Sequence, residues 1–282
     1  TDDVYETENM FGGVKMTSIE PEKNQTEGFM LVTENKKIIM IDGGDQYDKD
    51  NVVKLIRQYK NEVDDWYISH YHCDHVFALI RILEEEDIFI KNLYYDFNVT
   101  EEILEKYGDE DNYLVARMKK AVGENRSKIG NVITPEKGNE FTTDGVKVKI
   151  LNNATFRAMA NMPNDSSIVF KVETPGKNIL FLGDLGAYGD ALLKDEYFYN
   201  EIQDCEVVQL GHHGQSGVSD KFYQSLPAMK VAIYCAPEWL FDCNSGKGVG
   251  SGSWLTLRTR EIMRVLKIRK TCSLKYGRAE LG

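Results

Sequence analysis

Short apolar runs recur along the chain, broken by turns rich in glycine, proline and aspartate, which is the pattern of β-strands. Strands are predicted over residues 14–19, 28–33, 37–41, 64–69, 88–95, 129–133, 140–141, 146–151, 167–173, 178–182, 206–210, 230–235 and 271–276. Between them the apolar spacing lengthens to three and four. Val52, Val53, Leu55, Ile56 and Tyr59 form one helical stripe, and helices are also predicted over 76–83, 187–193, 219–226 and 256–267. A charged stretch over 100–122, opening on Thr100 as N-cap with Glu101 and Glu102 behind it, reads as a surface helix pair or a lid.

The order of these elements gathers polar residues at strand ends. Two hairpin-linked strands deliver Asp42 into the tight turn Asp42-Gly43-Gly44. The helix over 49–60 and the strand over 64–69 then make a strand-helix-strand unit, which favours a right-handed parallel crossover. Farther on, Phe181-Leu182-Gly183-Asp184 and Gln209-Leu210-Gly211-His212 share one pattern of apolar residue, glycine and ligand-type residue. Parallel strands ending alike place Asp184 and His212 on one rim. By this alignment His212, rather than His213, is expected to be the ligand.

The composition is that of an ordinary globular chain: 282 residues, 42 % hydrophobic and 28 % charged. No apolar stretch approaches the roughly 18 residues needed to cross a bilayer. The first nine residues are acidic, unlike a signal peptide. A cytoplasmic location is expected, or a secreted one if a leader has been removed ahead of Thr1. A net charge of −11 weighs against binding nucleic acid. Lys267, Arg269, Lys270, Lys275 and Arg278 form the one basic stripe, read as a solvated face. The five cysteines are odd in number and scattered, so no disulfide framework is expected, and Cys73 reads as a packing residue. The glycine-rich stretch over 244–252 lacks a phosphate-loop pattern and reads as a mobile loop. Trp239, Phe241 and Trp254 beside it read as packing residues.

The distribution of histidine is the strongest signal. All five histidines fall in two places, His70, His72 and His75 in one stretch and His212-His213 in the other. With Asp74 they make a set that suits a zinc-class ion, since imidazole and carboxylate are its common ligands.

The run His70-Tyr71-His72-Cys73-Asp74-His75 is the HxHxDH motif, and with Gly183-Asp184 and His212 it resembles the metallo-β-lactamase-fold metallohydrolases from about residue 14 to 276. Residues 164–169, 183–185 and 211–219 are similar to the ComEC/Rec2-like competence branch and to secreted phosphorylcholine esterases. The resemblance implies an α/β fold, the four-layer αββα sandwich, as a single domain over 1–282 with a helical insertion at about 98–125. It also implies one or two ions, zinc with manganese or iron as alternatives. His70 and His72 would serve one ion, Asp74, His75 and His212 the other, and Asp184 would bridge them; Asp42 would support the ligand loop. Many relatives carry a further histidine between the motif and the bridging aspartate. This chain has none there, and Asn164 is the nearest substitute.

The chemistry expected of such a site is hydrolysis by a metal-bound hydroxide, with phosphodiesters or small phosphoesters as substrates. Asp74 is a candidate proton acceptor. His213 is expected either to touch a phosphoryl oxygen or the leaving group, or to orient a ligand. The rival readings are a lactonase or amidase using the same ions on a carbonyl, and a non-catalytic metal-stabilised binding domain.

Overall fold

The computed structural model describes residues 10–157, 161–268, 270–274 and 280–281. The acidic first nine residues, the end of the last predicted strand, and Arg269, Lys275 and Arg278 of the basic stripe lie outside the described residues.

The first half of the chain lays down β1 (Lys15–Ser18), β2 (Gly28–Val32), β3 (Ile38–Asp42), α1 (Lys49–Arg57), β4 (Glu62–Tyr67), α2 (Cys73–Glu85), β5 (Phe89–Tyr94), α3 (Glu101–Tyr107), α4 (Tyr113–Glu124) and β6 (Ile129–Ile133). The second half continues with β7 (Glu140–Thr143), β8 (Val146–Ile150), α5 (Met162–Asp165), β9 (Phe170–Glu173), β10 (Asn178–Phe181), α6 (Gly189–Leu192), α7 (Glu196–Glu201) and β11 (Cys205–Gln209). It closes with α8 (Asp220–Gln224), β12 (Val231–Tyr234), α9 (Glu238–Phe241), α10 (Thr256–Val265), β13 (Lys270–Ser273) and β14 (Glu280–Leu281). Two seven-stranded sheets result, ordered β14-β1-β2-β3-β4-β5-β6 and β13-β12-β11-β10-β9-β8-β7. Strands β3 to β6 run parallel in the first sheet and β10 to β13 in the second.

The layers follow from the strand sequences. In β2 and β3, Phe29, Leu31, Ile39 and Ile41 face the second sheet, where they meet Phe170, Val172, Phe181 and Val207. Their neighbours Met30, Ile38 and Met40 face outward onto Val52, Ile56, Leu79 and Leu83 of α1 and α2. On the other side, Leu180, Val208 and Ala232 lie under Phe198, Phe222 and Met263. A strand covered on both faces reads as a continuous apolar run rather than an alternating one. The fold is therefore the expected αββα sandwich, helices outside two facing sheets.

Two local departures bear on the site. Helix α2 begins at Cys73, not at residue 76, so Asp74 and His75 lie in its first turn. Apolar periodicity starts only at Val76, and the free N–H of Cys73 is satisfied from a distant loop, by Asp111 Oδ2 at 2.8 Å. The 100–122 stretch is a pair of helices. Of these, α4 buries Leu114, Val115, Met118, Ala121 and Val122, and the turn between the two carries Asp109 to Asp111 toward the sheet rim. Among the described residues no helix is long and apolar enough to cross a membrane.

Candidate metal centre

Parallel strands that end on one rim bring the polar residues together. Asp42 ends β3, Ser69 to His75 follow β4, Gly183-Asp184 follows β10, and Gly211 to His213 follows β11. Gly183 has φ +54°, and a Cβ there would stand 2.9 Å from Ser69 Cβ. Glycine is thus required for the turn bearing Asp184 to lie directly on the turn bearing the HxHxDH histidines.

Hydrogen bonds fix which imidazole nitrogen faces inward. Asp42 Oδ1 accepts from the Ser69 backbone N–H at 2.7 Å, while its Oδ2 accepts from Ser69 Oγ at 2.7 Å and from His75 Nδ1 at 2.9 Å. The Ser69 hydroxyl spends its one O–H on Asp42, so at 3.0 Å it accepts from His70 Nδ1. His213 Nδ1 donates to the Cys235 carbonyl at 2.9 Å. In all three rings Nδ1 is thus held by the protein and Nε2 is the nitrogen turned toward the cluster.

Asp184 stands between two sets of rings. Its Oδ1 lies 3.2 Å from His75 Nε2 and 3.5 Å from His213 Nε2. Its Oδ2 lies 3.9 Å from His70 Nε2 and 3.7 Å from His212 Nε2. Asp74 joins the former set, with Oδ2 2.9 Å from His213 Nε2 and Oδ1 4.0 Å from His75 Nε2. His70, His72 and Asp184 also converge, as do Glu27, His75, Asp184 and His213, each group offering donor atoms within 4.8 Å of one another.

The two adjacent histidines thus take different places from those expected. His213, fully buried, occupies the position beside Asp74 and His75 that the resemblance gives to His212. His212 turns to the other side of Asp184, 3.4 Å from the Asn164 amide. Both residues are left-handed, with φ of 53° and 56°. Such a backbone is rare for side chains larger than glycine, is enriched at functional sites, and no strand-end pattern foretells it.

The electrostatics describe a cluster arranged for cations. Burial alone would raise the carboxyls of Asp74 and Asp184, yet the facing histidines hold both below their usual range. Burial would lower His75 and His213, but Asp184 and Asp74 raise both well above it. His70 and His212, farther from the carboxylates, are pushed down by burial. Nε2 of His70, His75 and His213, Oδ1 of Asp184, Oδ1 of Asn164 and Oε1 of Glu27 are buried without a hydrogen-bond partner. Buried polar atoms are almost always paired, so the orphans gathered in these two donor groups fit residues that could hold metal ions. His72 is the exception: its Nε2 meets Asp109 Oδ2 at 2.8 Å, at the mouth of a cavity of about 380 Å³.

Of the other sequence candidates, Cys73 packs against the first helical layer, and burial raises its thiol well above the usual range. Trp239 lines the cavity and meets Trp254 edge-on at 4.9 Å. Phe241 packs on Tyr234 and under Arg260. Glu27 was not legible as a site residue. One sign of it exists, because it directly precedes the apolar strand β2, whose Gly28 pairs with Asp42 and so shares the ligand rim.

Fold and donor set together define a metallo-β-lactamase-fold protein whose sheet edges gather residues that could hold metal ions. Residues 13–218 match the family described as anti-Pycsar protein Apyc1, and the chain belongs to that family. Among solved structures it is similar to the metallo-β-lactamase fold protein YhfI from Bacillus subtilis, with 11% identity and a TM-score of 0.57 over 95% of this chain and 99% of that one. It is likewise similar to yeast PDE1, with 14% identity and a TM-score of 0.55 over 90% of this chain and 93% of that one. No curated protein matches it by sequence.

Proposed function

We propose that the protein is a metal-dependent hydrolase of phosphodiesters or small phosphoesters that works with two cations. The observation carrying this reading is the placement of Asp184, with one oxygen toward His75 and His213 and the other toward His70 and His212. His70, His72 and His212 would hold the first ion, and Asp74, His75 and His213 the second, with Asp184 shared. His212 then takes the role of the histidine absent from the middle of the chain, and Asn164 supports it. Cations held at these residues would lower the pKa of water and stabilise charge on phosphoryl oxygens.

The chain supplies the rest. Asp42, Ser69 and the Cys235 carbonyl hold the rings in the ligand tautomer. His213 has no exposed surface, so it fits a place among the ligands rather than contact with a leaving group. Asp45, Asp109, Glu110 and Asp111 line the cavity mouth, and their charge disfavours a long polyanion more than a small ester. The likeness to yeast PDE1 and the similarity of three motifs to phosphorylcholine esterases agree with phosphoester chemistry. Membership of the anti-Pycsar family gives counteraction of Pycsar as the setting.

The test is turnover of bis-p-nitrophenyl phosphate, a wider phosphoester panel and lactones by protein reloaded with Mn²⁺ or Zn²⁺. Phosphodiester turnover lost in Asp184→Ala is expected. Turnover of lactones alone would move the reading to a carbonyl hydrolase, and tight metal binding with no turnover to a binding domain.

A further inference from the structure

We propose that Glu27 is a further ligand of the second cation, fixed in place by Gln209, and that it makes this site the oxygen-rich one of the pair. The inference rests on the two-cation reading above.

Glu27 is fully buried, and its backbone N–H donates to the carbonyl of Asp74 at 2.9 Å, so the main chains of the two residues are locked together. Its Oε2 accepts from Gln209 Nε2 at 2.8 Å. Gln209 cannot turn away. Its Oε1 accepts from the N–H groups of Leu182 and Gly183 at 2.6 and 2.9 Å, and its Nε2 also donates to the carbonyls of Gly183 and Leu210 at 3.1 and 2.7 Å. One amide therefore ties the turn bearing Asp184, the end of β11 and Glu27 into a single unit.

This leaves Glu27 Oε1 buried and without a hydrogen bond, as are His75 Nε2, His213 Nε2 and Asp184 Oδ1. The same four residues offer donor atoms that all lie within 4.8 Å of one another. The donor atoms around one tetrahedral zinc-class ion, each about 2.0–2.2 Å from it, stand about 3.3–3.6 Å apart. A cation at their centre satisfies all four orphans with small movements. The Cys235 thiol also lies beside the carboxylate, and burial raises it well above its usual range.

The two sites then differ in chemistry. The first offers three imidazoles and one oxygen of Asp184, whereas the second offers two imidazoles with Asp74, Glu27 and the other oxygen of Asp184. Carboxylate-rich sites suit harder divalent ions such as Mn²⁺, and imidazole-rich ones suit zinc.

The experiment is calorimetric titration of metal-free protein with Mn²⁺, with metal content measured after gel filtration, on wild type, Glu27→Gln and Glu27→Asp. Wild type is expected to take two ions. Glu27→Gln is expected to keep the first and bind the second at least about tenfold more weakly, with no fall in the melting temperature of the metal-free protein; Glu27→Asp should fall between. Wild-type affinity for the second ion in Glu27→Gln would overturn the proposal. So would a loss accompanied by an equal destabilisation of the metal-free protein in both variants, the mark of a structural carboxylate. A wild type that takes only one ion would remove the two-cation reading and this inference with it, and wild-type stoichiometry tells that failure apart.

Discussion

Asp42 Oδ2 accepts a hydrogen bond from His75 Nδ1 at 2.9 Å, and both side chains are fully buried. The same carboxylate oxygen accepts a hydrogen bond from the Ser69 hydroxyl, and Ser69 in turn accepts from His70. One aspartate therefore sets the tautomer of a ring on each side of Asp184. Asp42→Asn presents an amide in place of one acceptor oxygen. Metal affinity is expected to fall about 10- to 100-fold, measured by competition with a chromophoric chelator, while far-ultraviolet circular dichroism stays unchanged.

On the proposed two-cation reading, the tandem histidines belong to different sites. His212→Ala is expected to lose the first ion and His213→Ala the second, each by metal analysis after gel filtration. Asn164 lies 3.4 Å from His212 Nε2, so adding Asn164→His to His212→Ala should restore much of the first-site affinity. Loss of the same ion in both single variants would refute the partition.

Gln209 bears on stability as well as on the site. Replacing it with leucine strands the buried N–H groups of Leu182 and Gly183 that it now satisfies. Each unpaired group costs about 1–3 kcal/mol, so Gln209→Leu is expected to lose roughly 2–6 kcal/mol in urea unfolding of the metal-free protein. A loss below about 1 kcal/mol would show that water or a local shift replaces the amide.

A separate pH dependence lies away from the metals. Asp64 accepts from the backbone N–H of Ile38 at 2.9 Å and pairs with Lys60 and Lys91. Burial would raise its carboxyl, but these partners hold it well below the usual range. A carboxyl lowered on folding stabilises fully above its unfolded pKa, near 4, and loses that contribution as pH falls below it. The lysines are partly exposed, so the effect is on the order of 1 kcal/mol. Asp64→Asn should lose about that much at pH 7 and show a flatter decline in melting temperature between about pH 5 and pH 2.

Much of the molecule is written locally in the sequence. Apolar runs such as 28–32 and 38–41 mark strands because each residue there is buried on one face or the other. Glycine at 43 and 183 marks the turns at their ends. His70, His72, Asp74 and His75, with Asp184, could be read as neighbours because all of them follow strands that end on one rim. The partition of His212 and His213 could not be read, since it depends on two successive left-handed residues held by packing around the turn. Helix α2 starts three residues earlier than its apolar pattern because Asp111, from a turn between two other helices, supplies the missing acceptor. Glu27 is one acidic residue among 45 Asp and Glu. Only the meeting of the two sheets puts Gln209, 182 positions away, against its carboxylate. Sequence thus determined the donors that stand on regular elements. The tertiary structure decided which donors share a point in space, because burial and orientation at the sheet rim arise only when the two halves pack together.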